Sequence, residues 1–442
     1  MEAEGEDPQA LLARGPMSNR QIGIIGILFL LNALDGFDVL AIAFAAPGIV
    51  QAWTLPASSL GIVISLGLVA TGLGSLFVAP LADSYGRRPL MLSMLACMAA
   101  GMLVCATSNG IVTLAIGRVL TGIGVGALVP TISALTAEYA NTRYRDLSVM
   151  VVAVGFPAGG LIGGAIASAL LRHGEWWTVF AAGGVLTSAL AIAPWLFVPE
   201  SLGFLSAKGK SDAVVRINEI LDTIALPPIS RLSQFAGKSK GSAREIFRRP
   251  ALLAVATLVT VVYAAHNATV YYALNWMPKI VVDKSLSQSQ AATVAAWCGA
   301  GGVVGSFIVA WIATRVDVKA LTTVLLVAAA FAVWAFARTP ADLVLLTSIA
   351  ALSGAALYGA QVALYALMAR SFPVNVRATG IGFVTGLGRI GGVVAPLVSG
   401  QLLTAGFQYP QVSGVMAAGS LFGALALLTT YFTPRGRLAP VE

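Results

Sequence analysis

Charge is what this sequence lacks most. Only 10% of its 442 residues are Asp, Glu, Lys or Arg, against roughly 25% in soluble globular domains. With 57% of the residues hydrophobic, a soluble fold of this length could not hide its apolar surface. Cysteine is scarce too. Cys97, Cys105 and Cys298 all fall in apolar blocks, odd in number and without ligand spacing, so they read as reduced, packed thiols. No nucleophile–base set, metal cluster or phosphate loop occurs, which argues against an enzyme and calls for no cofactor. A cleavable leader is also missing. Glu2, Glu4, Glu6 and Asp7 have the wrong sign for a signal peptide, and no small-residue cleavage site follows the first apolar block.

What is present is a series of apolar blocks of about 20 residues, each able to cross a hydrocarbon core of roughly 30 Å. Twelve spans are expected, at 21–46, 58–80, 89–107, 111–138, 147–170, 176–198, 251–276, 288–313, 319–337, 342–369, 377–403 and 411–432. The fold class is therefore all-α, a polytopic membrane protein. Basic residues set the orientation. With the N-terminus inside, only Arg172, Lys279, Lys284 and Arg338 fall in outer loops, out of 27 lysines and arginines. Both termini are expected in the cytoplasm of a bacterial cell, with the spans in its inner membrane. The formal charge of +8 is then an orientation signal, and no nucleic-acid partner is expected. The chain divides into a tail (1–20), a six-helix bundle (21–202), a cytoplasmic loop (203–250), a second bundle (251–433) and a tail (434–442). Pro227, Pro228 and scattered Lys, Ser and Gly suggest a short helix or two and a flexible link in the loop.

The bundles repeat one another. GSLFVAPLADSYGRRPL (Gly74 to Leu90) aligns with GSFIVAWIATRVDVKAL (Gly305 to Leu321) at a shift of 231. RDLSVMVVAVGFPAGG (Arg145 to Gly160) aligns with RATGIGFVTGLGRIGG (Arg377 to Gly392) at a shift of 232. Parallel repeats of this kind imply an axis along the membrane normal and a site between the bundles near the midplane. Glycines at four-residue spacing, such as Gly155, Gly159 and Gly163, allow close helix contact.

ADSYGRRPLM (Ala82 to Met91), RVLTGIGVG (Arg118 to Gly126) and VPESLGFL (Val198 to Leu205) resemble motifs of the major facilitator superfamily. Within it, Asp35-Gly36-Phe37-Asp38, NWMPKI near residue 277 and RATGIGFVTGLGRIGG resemble the aromatic acid:proton symporters. The resemblance implies the major facilitator fold and covers the chain end to end. Two departures are visible. Ala79 stands where the loop signature usually begins with glycine, and its second-half copy is eroded, with Thr314 and Lys319. The antiporter signature is interrupted, since Phe156 separates Gly155 from Pro157, which argues against an exporter.

The candidate site follows from buried charge. A charge at a helix centre costs about 2.5–3.5 kcal/mol on insertion scales, so such groups are usually paired and functional. At about 1.5 Å per residue, Asp35, His266 and Arg389 lie roughly 21, 22 and 18 Å from the inner ends of their helices, and Arg118 roughly 12 Å from the outer end of its own. All four fall in one layer. Asp35 and Asp38 share a helix face, and two adjacent carboxylates in a low dielectric resist simultaneous ionisation. Related sugar:proton symporters carry Gly-Tyr-Asp where Gly36-Phe37-Asp38 stands. That resemblance makes Asp38 the proton carrier, released from or paired with Arg118, and Asp35 its partner or part of the substrate site. A static Asp–Arg pair is the alternative.

Arg389 can hold a carboxylate bidentately. Tyr263, His266, Asn267 and Tyr271 on the seventh span, with Tyr358 and Gln361 on the tenth, supply rings and amides suited to a hydroxylated arene. Packing is the alternative for the tyrosines, and a satisfied neutral histidine for His266. At the inner ends of the spans, Asp83, Gly86, Arg87, Arg88, Glu138, Arg143 and Arg377 are candidate gate residues, in keeping with the superfamily's loop signature. The expectation is proton-coupled uptake of a small aromatic carboxylate, such as a hydroxybenzoate, by a carrier working as a monomer in lipid. A sugar or polyol symporter and a non-transporting membrane sensor are the alternatives.

Overall fold

The structure is a computed structural model that describes residues 7–208, 212–232, 248–372 and 377–432. Twelve of its helices are long and apolar enough to cross a membrane. They are α1 (Asn19–Trp53), α2 (Ala57–Tyr85), α3 (Arg87–Ala106), α4 (Ile111–Tyr139), α5 (Arg145–Leu170) and α6 (Trp177–Phe197), then α7 (Pro250–Asp283), α8 (Gln288–Ile312), α9 (Val318–Arg338), α10 (Leu343–Ser371), α11 (Arg377–Thr404) and α12 (Tyr409–Phe432). Large apolar side chains stand exposed around the outside, among them Phe77, Val112, Phe331 and Leu352. A surface of that kind suits hydrocarbon rather than water.

Ten of the twelve spans match the expected bounds to within a few residues. α1 and α7 run about two turns past their expected ends. The expected stops are Ala46 and Trp276, and both helices instead continue through a proline, Pro47 and Pro278. Both prolines are buried, where neighbouring helices hold the chain to helical geometry despite the missing N–H. α2 is disturbed as well. A π turn at Gly74–Val78 and a 3-10 turn at Ala79–Leu81 surround Pro80, as expected where a proline deletes a rung of the hydrogen-bond ladder.

The repeat seen in the sequence is present in the packing. α1 packs on α5 as α7 packs on α11, and α2 on α4 as α8 on α10. Side-chain-free contacts recur at the same shift. A Cβ on Gly159 would overlap the carbonyl of Ala33, and one on Gly391 that of Ala264. A Cβ on Gly122 would overlap the carbonyl of Gly67, and one on Gly354 that of Cys298. Between the halves, α5 lies on α8 and α2 on α11.

The hydrophobic core shows how the halves meet. On the side away from the chain ends, one continuous cluster draws on both halves, from Ile49, Leu60 and Trp176 to Met277, Ile280 and Leu346. Toward the chain ends the core splits into a first-half cluster around Leu28, Leu95 and Leu135 and a second-half cluster around Val259, Leu326 and Leu364. The halves are sealed on one face and parted on the other. The seal is reinforced by hydroxyls. Ser168 Oγ lies 3.0 Å from Ser289 Oγ and 2.8 Å from Thr293 Oγ1. Ser65 Oγ donates to the Val393 carbonyl at 2.8 Å, and Ser58 N donates to Thr404 Oγ1 at 2.9 Å.

The face carrying the chain ends is more ordered than a tail and a link. Helix Pro8–Arg14 packs with Leu202–Lys208 and Ala213–Thr223 through Leu12, Leu202, Leu205, Ile217 and Leu221. It is tied to the loop after α4, where Thr142 N donates to the Ala13 carbonyl at 2.9 Å and Asn141 Nδ2 to the Gly15 carbonyl at 3.0 Å.

Candidate functional site

Asp35 and Asp38 lie inside the molecule, Asp38 with no exposed surface at all (0%). Neither oxygen of the Asp38 carboxyl has a hydrogen-bond partner at bonding geometry, nor does Oδ1 of Asp35; the Thr187 hydroxyl stands beside Asp38 but is spent on the Gly183 carbonyl at 2.7 Å. Close packing puts them there. A Cβ on Gly36 would overlap the Phe156 carbonyl of α5, so α1 and α5 touch backbone to backbone. Gly183 of α6 makes room for Met102 and Phe37 beside the second acid, since a Cβ there would overlap Met102 Cε and crowd the Phe37 ring, whereas Asp38 Oδ1 lies at ordinary contact distance.

Arg118 of α4 is buried beside them at 5% exposure. Its Nη1 donates to the main-chain carbonyl of Asp38 at 3.0 Å, and its Nε has no partner. Among the described residues, no ion pair joins Arg118 to either carboxylate. The arginine stays close to Asp38 but binds its backbone rather than its side chain.

The second half supplies the opposite wall. Arg389 of α11 is half-buried, and its Nη1 has no partner. It lies within electrostatic reach of Asp35, Tyr263 and Tyr271, yet no ion pair closes between Arg389 and Asp35. A relay runs beside it. Asn267 Nδ2 donates to the Gly388 carbonyl at 3.1 Å. Gln361 Nε2 donates to Asn267 Oδ1 at 3.4 Å and to Tyr263 OH at 3.0 Å, and Tyr263 OH lies 3.2 Å from Tyr365 OH. Gly388 and Gly392 press on the rings of Tyr263 and Tyr271. The Tyr358 ring sits 6.3 Å from that of Phe156, across the boundary between halves, and its hydroxyl has no partner.

His266 is not brought into this group. It has 0% exposure, with Nδ1 2.9 Å from Ser420 Oγ and Nε2 3.1 Å from the Leu357 carbonyl. Residues spaced 3, 1 and 4 along α7 cover too wide an arc to share one neighbour. Tyr263, Asn267 and Tyr271 face α10 and α11, whereas His266 points between α10 and α12.

The expected gate residues fall into three sets. Arg87 forms an ion pair with Glu138 and donates from Nη1 to Ser201 Oγ at 2.9 Å. Asp83 lies within electrostatic reach of Arg87, Gly86 holds φ at +108°, and Arg88 donates to the Trp195 carbonyl. All of these sit within the first half. Arg143 stands apart, exposed, over the Tyr144 ring at 5.3 Å. The side chain of Arg377 lies outside the described residues.

Sequence reasoning missed Glu200. Its Oε1 accepts from the N–H groups of Arg87 at 2.9 Å, Arg88 at 3.2 Å and Ser201 at 2.8 Å, a carboxylate at the positive end of α3. A Cβ on Gly86 would collide with its other oxygen, which gives that glycine a second reason to be there. The Pro-Glu-Ser segment was the available signal. Asn32 was missed as well, and Nδ2 ties α1 to the Val152 carbonyl of α5 at 2.7 Å.

The family model described as Major Facilitator Superfamily matches residues 28–396. The chain belongs to the major facilitator superfamily. It is thus a multi-pass membrane protein of a transporter family, not an enzyme. It is 30% identical over 415 residues to the gallate transporter of Pseudomonas putida, covering 93% of this chain and 92% of that one. It is 31% identical over 430 residues to the 4-hydroxybenzoate transporter PcaK of Acinetobacter baylyi, covering 95% and 93%. Among solved structures, the inward open conformation of the xylose transporter XylE from E. coli superposes with a TM-score of 0.72 at 16% identity, covering 96% of this chain and 99% of that one. That likeness shows the major facilitator fold.

Proposed function

We propose that this protein takes up a small aromatic carboxylate together with protons, by alternating access of its two halves. The observation that carries the reading is the juxtaposition of Asp35 and Arg389. The groups come from different halves, lie within electrostatic reach and form no ion pair. An arene carboxylate has the charge to engage Arg389, and Tyr358 and Phe156 offer it ring contacts. The similarity to transporters of gallate and 4-hydroxybenzoate supports the same substrate class.

Asp38 carries the coupled proton. Its carboxyl is buried without a partner at bonding geometry. Arg118 holds the adjacent carbonyl and is placed to engage the carboxylate once the proton leaves. Energetics require such coupling. An anion entering against an inside-negative potential is opposed by about 2.3 kcal/mol per 100 mV. One proton cancels that charge, and a second makes entry favourable.

The parted face is the cytoplasmic one on this reading, with both chain ends there and the spans in a bacterial inner membrane, as the loop charges suggest. The network of Asp83, Gly86, Arg87, Arg88, Glu138 and Glu200 then braces the first half for closure against the second. The carrier works as a monomer of two bundles, 21–202 and 251–433.

The test is uptake of labelled hydroxybenzoate into proteoliposomes under an imposed pH gradient, inside alkaline. Accumulation that collapses with a protonophore is expected. Uptake indifferent to the gradient, or competition by pentoses and not by aromatic acids, overturns the reading.

A further inference from the structure

Gln361 has its amide orientation fixed by its neighbours. Asn267 Nδ2 is committed to a main-chain carbonyl, that of Gly388, so Asn267 must turn its oxygen toward Gln361. An oxygen there demands a donor, which fixes Gln361 with Nε2 toward Asn267 and Tyr263. Both amide hydrogens are then in use, and Gln361 Oε1 remains as a buried acceptor with no partner. An unsatisfied buried carbonyl is costly, because water has been removed and nothing replaces it. One turn earlier on α10, the Tyr358 hydroxyl is also buried without a partner. Arg389 Nη1 is the third such group on this wall.

A cation, a hydroxyl and an acceptor do not complement a bare benzoate. They complement a carboxylate joined through a ring to a hydrogen-bond donor. We infer that Gln361 selects substrates carrying an O–H or N–H on the ring, its Oε1 accepting that hydrogen while Arg389 holds the carboxylate. The relay through Asn267 and Tyr263 keeps the amide from turning over to present N–H instead. This rests on the uptake reading above and narrows its substrate class to ring-donor acids.

The experiment is a competition panel in proteoliposomes holding the full-length protein, with acids that differ at a single ring position. Hydroxyl and amino groups donate, fluorine matches hydroxyl in size without donating, and hydrogen is the blank. The hydroxyl and amino acids should compete about tenfold more tightly than the fluoro and unsubstituted ones, the scale of one neutral hydrogen bond. In Gln361→Met that ratio should fall to about one, with the thermal unfolding of the variant as the separate check on its fold. A fluoro acid binding as well as its hydroxyl counterpart to the wild-type protein overturns the inference with no variant needed. So does an unchanged ratio in Gln361→Met. Failure of every aromatic acid to compete would instead bring down the uptake reading itself.

Discussion

Moving 231 positions along the chain takes Asp35 to His266 and Asp38 to Thr269. These are equivalent places on α1 and α7, equally buried, and their treatment is opposite. His266 spends both ring nitrogens on Ser420 and Leu357. Thr269 donates to the Met416 carbonyl at 2.7 Å and accepts from Ser420 N at 3.0 Å. The Asp38 carboxyl and one oxygen of Asp35 have no protein partner. Two copies of one bundle have thus diverged in how they use the same depth. In the second, polar groups at this position lock α7 to α10 and α12. In the first they are left without such partners, as the coupling role proposed for them requires.

Breaking the first-half side of this contrast should have the largest effect. Asp38→Asn removes the titrating group while keeping its shape. Gradient-driven accumulation should drop to background, and exchange of internal for external substrate should persist. Full accumulation by this variant would return the aspartates to a structural role like that of His266. Arg389→Gln comes next. Losing one charge-assisted contact should weaken aromatic acid binding about 10- to 100-fold, read as a rise in the half-saturation concentration for exchange.

His266→Leu sharpens the comparison from the other side. It should lower stability by about 1–3 kcal/mol through the orphaned Ser420 and Leu357 groups, seen in thermal unfolding. Substrate affinity should stay within about twofold. A large affinity loss without destabilisation would put His266 back in the site. The smallest effect belongs to Ser168→Ala. Removing a hydroxyl shared with Ser289 and Thr293 should shift the balance of sealed and open forms about fivefold, the scale of one such bond. Alkylation of a cysteine introduced at Ala165 would follow it.

The contrast between the halves also marks what could be read beforehand. Twelve spans and their repeat are written in composition and spacing, because hydrocarbon tolerates so few polar residues that each stands out. Helix ends were less legible at Pro47 and Pro278, where tertiary packing overrides the local signal. The direction of His266 was not legible, since it depends on which neighbour offers a hydroxyl, and Ser420 is 154 residues away. Arg118 was expected near Asp38 and is there, but its choice of the carbonyl over the carboxylate depends on side-chain placement that spacing does not encode. Glu200 acts through the helix end it meets, and that meeting exists only once α3 and α6 have packed.

The seal on the face away from the chain ends has one more consequence. Among the described residues it joins the halves through serine and threonine hydroxyls, main-chain carbonyls and apolar side chains, with no charge pair bridging them. Opening it therefore uncovers no ion that must be rehydrated. The return of the empty carrier should be indifferent to the ionic strength of the medium bathing that side.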